Sequence, residues 1–293
     1  MTIDERNVRF TKIYLTMWGV CVFVALSFFV LYKFGFRLTN KFEPVKVATI
    51  ELKSNQSDLQ IFLDNRELKA SFQDGRYIIK NVIPGLHSVL VSKNGFWPWT
   101  KIVNVTENNS KSIYAFIFPT EGATAKKISP ETSEYKIASK GLKSSILPEP
   151  ASYVSNPTND ESITEWLKTN VPNFGLSLDK STALYIMNNT IYVAWISSSE
   201  PPPHYFCEEN PCKLIMPVTI STLPIQSVVF YKDRRDVVLF SAGSNIYGIE
   251  LDRQGTQNFQ PLLKVNNPYF YQAVNGQLYI KDGNSIFSVS EKV

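Results

Sequence analysis

Residues 236–250 read DVVLFSAGSNIYGIE. An apolar run enters a turn at Gly243-Ser244-Asn245, and a second apolar run leaves it with an Ile followed by an aromatic. Val, Leu, Ile and aromatic residues on both sides of a turn rich in Gly and Asn describe a β-hairpin. The figure occurs twice more, as ALYIMNNTIYVAWI at 183–196 and as QLYIKDGNSIFSV at 277–289. Each hairpin has an apolar stretch before it, at 174–178, 227–231 and 269–273, and the first two are followed by another, at 213–216 and 262–265. The chain therefore repeats a unit of about four strands.

The repeated isoleucines Ile191, Ile246 and Ile286 are 55 and 40 residues apart. Four strands in about 40–45 residues is the period of a β-propeller blade. The first spacing is longer because it holds SSSEPPP at 197–203 and a cysteine loop. The units resemble degenerate WD-type blades without the Gly-His or Trp-Asp signatures. Three blades do not close a ring, which takes about four to eight, and the third lacks a fourth strand unless a neighbouring segment supplies one. Residues 161–293 are thus expected to form a partial propeller-like module or a stacked β array. Its open edges would invite self-association or docking on a larger complex.

Upstream, residues 13–32, from Ile13 to Tyr32, are IYLTMWGVCVFVALSFFVLY, without a charge. Twenty helical residues span about 30 Å, the hydrocarbon thickness of a bilayer. No small-x-small cleavage site follows, so 13–33 is expected to be an uncleaved signal anchor behind a short cytoplasmic stretch, 1–12. Arg6, Arg9 and Lys12 on one side are matched by Lys33, Arg37, Lys41 and Lys46 on the other. The positive-inside rule does not choose a direction from these flanks.

Residues 45–118 alternate polar and apolar positions between turn signals at Asp64-Asn65, Asp74-Gly75, Pro84-Gly85 and Asn94-Gly95, as in a small β-sandwich. Ser54, Asp64, Pro84-Gly85-Leu86-His87 and Lys93-Asn94-Gly95-Phe96 resemble the pattern of the PEGA domain family. Asn55-Gln56-Ser57-Asp58 replaces the Pro-x-Gly-Ala core of that family. The resemblance implies a bacterial surface module next to a membrane anchor, without catalytic residues. It also turns the topology toward N-terminus inside and modules outside. Residues 119–160 read as a linker with a short strand at 135–137, and 160–168 as a helix capped by Asp160 or Ser162 with Ile163, Trp166 and Leu167 inward.

Phe96, Trp97 and Trp99 are the candidate binding residues, because aromatics at a loop-to-strand junction can stack on sugars or anchor a partner. They can equally cap a core. Cys207 and Cys212 are the disulfide candidate, which suits an oxidising compartment. Free thiols, or a metal site with His204, are the alternatives, and the latter lacks a fourth ligand. Cys21 lies in the apolar run. Two distant histidines and the loop carboxylates Glu208 and Glu209 make no catalytic set, and no cofactor motif is present. A formal net charge of +4 with scattered Lys and Arg gives no basic stripe for nucleic acid. The expected function is non-enzymatic: a cell-membrane protein presenting β modules to a protein or envelope glycan. A subunit of a secretion or pilus-type assembly is the alternative, and a wall-modifying enzyme a more distant one.

Overall fold

A computed structural model of the protein describes residues 3–39, 41–120, 125–140, 142–143, 162–171, 173–207, 211–232, 234–272 and 277–289. The chain is mainly β. It opens with one long helix, α1 (Ile3–Lys33), whose Tyr14–Lys33 portion is long and apolar enough to cross a membrane and is not buried against any other part of the protein. Two compact units follow from the contacts. The first comprises Met1–Ser57, Ile61–Val89 and Val103–Ala115; the second comprises Asp58–Gln60, Leu90–Ile102 and Phe116–Val293.

Strands β1 (Phe36–Leu38) and β2 (Pro44–Lys46) form an antiparallel ribbon after α1. They are followed by β3 (Ala48–Ser54), β4 (Gln60–Leu63), β5 (Arg66–Leu68), β6 (Ser71–Gln73), β7 (Arg76–Val82), β8 (Gly85–Ser92), β9 (Trp99–Val105) and β10 (Ser110–Ala115). These build two four-stranded sheets, β10-β3-β7-β6 and β5-β4-β8-β9. Alternation decides what is buried: Ile50 and Leu52 in β3 and Ile79 in β7 point inward, while their sequence neighbours do not. Asp64-Asn65 and Asp74-Gly75 are two-residue turns with φ > 0 at both positions, which Asn, Asp and Gly tolerate.

The second unit contains β11 (Ala125–Lys127), α2 (Ser133–Ser139), β12 (Leu142–Lys143), α3 (Ile163–Asn170), β13 (Phe174–Leu176), β14 (Thr182–Met187), β15 (Thr190–Trp195) and β16 (Ile215–Ile220). It continues with β17 (Ile225–Phe230), β18 (Val237–Ala242), β19 (Asn245–Glu250), β20 (Phe259–Lys264), β21 (Pro268–Gln272), β22 (Leu278–Asp282) and β23 (Ser285–Val289). The three repeats are three antiparallel sheets: β13-β14-β15-β16, β17-β18-β19-β20 and β11-β23-β22-β21-β12. The missing strands of the third come from the segment read as a linker, β11 on one edge and β12 on the other. The strand expected at 135–137 is instead part of α2. Thr132 accepts the Tyr135 N–H at 3.1 Å as its cap, and Ala138 packs on Tyr279 and Ile286. In α3, Ser162 accepts the Glu165 N–H at 3.2 Å; Asp160, the other expected cap, lies outside the described residues.

The sheets stack. From the middle sheet, Val228, Phe230, Val238, Phe240 and Ile249 pack against Leu184, Val193 and Val218 of the first. The opposite face, with Val229, Leu239 and Ile246, meets Phe270, Leu278 and Ile280 of the third. Both faces of β18 are therefore buried along its whole length, which is why its sequence is apolar at every position but Ser241, whose hydroxyl pairs with that of Ser227, rather than an alternation. At one end of the stack α3 covers Ala183 and Tyr185 with Trp166 and Leu167. At the other, α2 covers Tyr279 and Ile286.

A proline marks the outer strand of the first two repeats at matching positions. Pro217 faces Tyr192 and Pro261 faces Tyr247, each beside a bulge just after the repeated Ile. Proline cannot donate to a further strand, and a bulge twists an edge out of register. The edge carbonyls are taken as well. Arg253 donates to Pro217 and Val218, Gln257 donates to Val218, and the Trp97 indole donates to Pro261. At these positions the two edges are partly covered by the protein's own side chains.

Gly248 in β19 shows how tight the stack is. A Cβ there would lie 2.4 Å from the Phe118 ring, which is buried in the third-sheet core. Gly248→Ala should cost about 1–3 kcal/mol through overpacking, read as a lower urea midpoint of the detergent-solubilised chain. An unchanged midpoint would show that the ring is free to shift.

Candidate functional site

The three candidate aromatics lie on the Leu90–Ile102 segment, which belongs to the second unit. Phe96 is buried, with the Lys93 ammonium 5.3 Å from its ring centre. Trp97 is half-buried; its backbone N–H donates to the Phe118 carbonyl at 2.8 Å and its indole to Pro261 at 3.0 Å. Trp99 is 1 % exposed. Phe96 and Trp99 are thus buried in the protein's own interior, and Trp97 keeps part of its surface open.

Trp99 leads to a buried polar cluster. Its indole N–H is shared by the Glu250 carboxylate oxygens at 2.9 and 3.1 Å. Asn258 donates to Glu250 Oε2 at 2.7 Å. The same Asn258 accepts the Thr100 N–H at 3.1 Å and donates to the Thr100 carbonyl at 3.3 Å, so its amide pairs with β9 as a neighbouring strand would. Lys101, 5 % exposed, donates to the carbonyls of Asp252 at 2.8 Å and Thr256 at 3.1 Å. Its ammonium also lies 3.7 Å from Glu250 and 3.4 Å from Asp252. His204 closes the cluster with Nε2 at 3.2 Å from Asp252. The loop between β19 and β20 thus wraps the β9 segment. Gly255 allows it, with φ at +73° and space so short that a Cβ would meet the Ile102 Cβ at 2.4 Å.

Burial pushes the Glu250 carboxyl up to about 7, against the opposing pull of Lys101, Asn258 and Trp99. For Asp252 burial acts in the same direction, but the His204 bond and the Lys101 charge outweigh it and hold the group below its ordinary value. The arrangement is a latch: its donors and acceptors face one another. Lys101 was missed in the sequence, although strand alternation, which places it in step with Trp99, Val103 and Val105 on the inward side, is a signal that could have found it. Its carboxylate partners, about 150 residues away in sequence, left no local signal.

Cys207 and Cys212 are joined as a disulfide, which ties off the loop carrying Tyr205 and Phe206 into the first core. Glu208 and Glu209 lie outside the described residues. Among the described residues no group of three or more His, Cys, Asp or Glu is placed to hold a metal. His87 bridges Asp64 Oδ2 at 2.7 Å and the Ile83 carbonyl at 2.5 Å, so two of the motif residues, Asp64 and His87, contact one another. Burial tends to raise Asp64, and the bonds from His87 and Ser88 reverse this and lower it.

No family model matches the chain, and no curated protein matches it. One solved structure found by comparison is from Bacteroides fragilis and is provisionally described as a membrane-associated protein of unknown function. It is 9 % identical, with a TM-score of 0.21, over 83 % of this chain and 97 % of that one. A likeness at that score carries no inference for this chain.

Proposed function

We propose that this chain is a non-enzymatic, single-pass membrane protein that holds its β units outside the cytoplasm, where they bind a protein or an envelope glycan. The observation that carries the reading is the Tyr14–Lys33 helix portion, which is apolar up to its terminal Lys33 and has no residue buried inside the protein. Such a helix in water would expose Trp18, Phe23, Leu26 and Phe29 together, a surface far larger than a soluble chain leaves open. The Cys207–Cys212 disulfide supports an oxidising, extracytoplasmic side for the units. The PEGA-like motifs agree with a bacterial surface setting. The occupied edges of β16 and β20 direct the search for a partner toward other faces, which weighs against pairing of copies at those strands.

Protease shaving of intact cells tests the topology. The units should be cut before lysis, with the anchor left in the membrane fraction. Units that survive in intact cells and are cut only after lysis would reverse the orientation. Pull-down with the full chain from solubilised membranes tests binding, and recovery of neither protein nor glycan would remove it.

A further inference from the structure

We infer that the β1–β2 ribbon is a second membrane contact, one that seats aromatic residues among lipid headgroups and binds their anionic phosphates through lysine. The inference rests on the reading of α1 as a membrane span.

The ribbon starts where α1 stops. The Phe34 and Gly35 N–H groups bond back to Val30 and Tyr32, and Gly35 at φ +83° turns the chain off the helix axis. Arg37 then folds back on the helix. Its guanidinium lies 3.6 Å from the Tyr32 ring centre and donates to the Tyr32 carbonyl at 3.1 Å. Arg37 also donates to Asn81 at 3.3 Å, so the ribbon is braced by the first unit rather than left as a swinging arm. The second residue of β1 is therefore held level with the last helical turn, where the hydrocarbon of a spanned bilayer would end. Three strand residues reach about 10 Å, and the headgroup layer on each side is roughly 5–7 Å deep. Even a ribbon directed straight away from the bilayer would carry its tip only about 3–5 Å past that layer.

The tip carries the wrong residue for water. Phe42 is 83 % exposed and sits at φ +62°, a conformation uncommon for any residue but glycine. Thr39 holds it there: its carbonyl accepts the Phe42 N–H at 2.9 Å, and its hydroxyl accepts the Glu43 N–H at 3.2 Å. Phe34 and Leu38 are exposed on the same short stretch, and Lys33 and Lys41 are exposed beside them. Aromatics with lysines at this depth match the composition of a membrane interface, apolar on one side and phosphate on the other. Continuity with the anchor favours lipid as the occupant, and the exposed Lys33 and Lys41 outnumber the exposed Glu43 of the same stretch.

The test uses the full chain in phosphatidylcholine vesicles with and without phosphatidylglycerol. A spin label at Phe42→Cys, in a Cys21→Ala background, reports the tip; Phe72→Cys, also exposed, is the aqueous control. A label on Cys21 of the otherwise unaltered chain reports the anchor. The Phe42 position should collide severalfold less with a water-soluble nickel complex than the Phe72 position. The protection should grow with phosphatidylglycerol, and Lys41→Gln should remove that gain. If the label at Phe42 is as open to nickel as that at Phe72 while Cys21 is buried in lipid, the ribbon inference falls and the anchor stands. If Cys21 itself is open to nickel, the anchor reading falls and takes the ribbon with it. Protection that ignores phosphatidylglycerol would overturn the phosphate contact.

Discussion

Trp99→Ala is expected to produce the largest loss of stability of any single truncation in the run from Phe96 to Trp99. Truncating a fully buried aromatic costs about 3–5 kcal/mol. Here a buried carboxylate loses its indole donor at the same time, which adds about 1–3 kcal/mol. Against a total stability of about 5–15 kcal/mol for a domain, that leaves little margin. Trp99→Phe separates the two effects, since it keeps most of the volume and drops only the N–H; its loss should fall between wild type and alanine. Urea midpoints of the detergent-solubilised chain give the comparison. A binding tryptophan on an open face would behave differently, with stability almost untouched and affinity lost. A midpoint for Trp99→Ala within error of wild type would therefore restore the ligand role and remove the latch.

The second large effect is Lys101→Met, and it should depend on pH. Removing one partner of a buried ion pair costs about 3–5 kcal/mol because the remaining charge is left uncompensated. Glu250 sets the window. Its carboxyl is pushed up to about 7 in the folded chain from an ordinary 4.5. The folded state then holds the proton more tightly than the unfolded one, so the stability from this site is full below about 4.5 and is lost as pH rises through about 7. At about 1.4 kcal/mol per pH unit, the swing is on the order of 3 kcal/mol. Glu250→Gln should flatten the wild-type profile between these limits. Lys101→Met should be penalised more at pH 8 than at pH 5, where a protonated Glu250 no longer needs the cation. Parallel profiles for wild type and Glu250→Gln would mean that Glu250 titrates normally and the cluster is wetter than its burial implies.

The repeat was readable because each hairpin keeps its own period: apolar strand, Asn- or Gly-bearing turn, Ile-aromatic strand. Residues 236–250 place β18 and β19 almost to the residue. What local pattern does not carry is pairing between distant segments. Ala125–Lys127 is too short and too polar to announce itself as the outer strand of the last sheet, yet it pairs with Phe287 to Val289. The partial covering of the edges at β16 and β20 was not legible for a similar reason. Pro217 and Pro261 were visible in the sequence, but their effect depends on which strand is outermost and on the side chains that reach over it. The environment of the aromatic run was not legible, because the carboxylate that engages Trp99 is reached only through the folded chain.

The short helices α2 and α3 close the two ends of the sheet stack. Stacked repeats need a terminal unit with a polar outer face to stay soluble. A fourth sheet added before the first would have to displace Trp166 and Leu167, and one added after the third would have to displace Ala138. The two helices are thus terminators: each spends its apolar face on the sheet it covers, so that neither outer sheet presents the buried residues named here as a bare face for a further sheet.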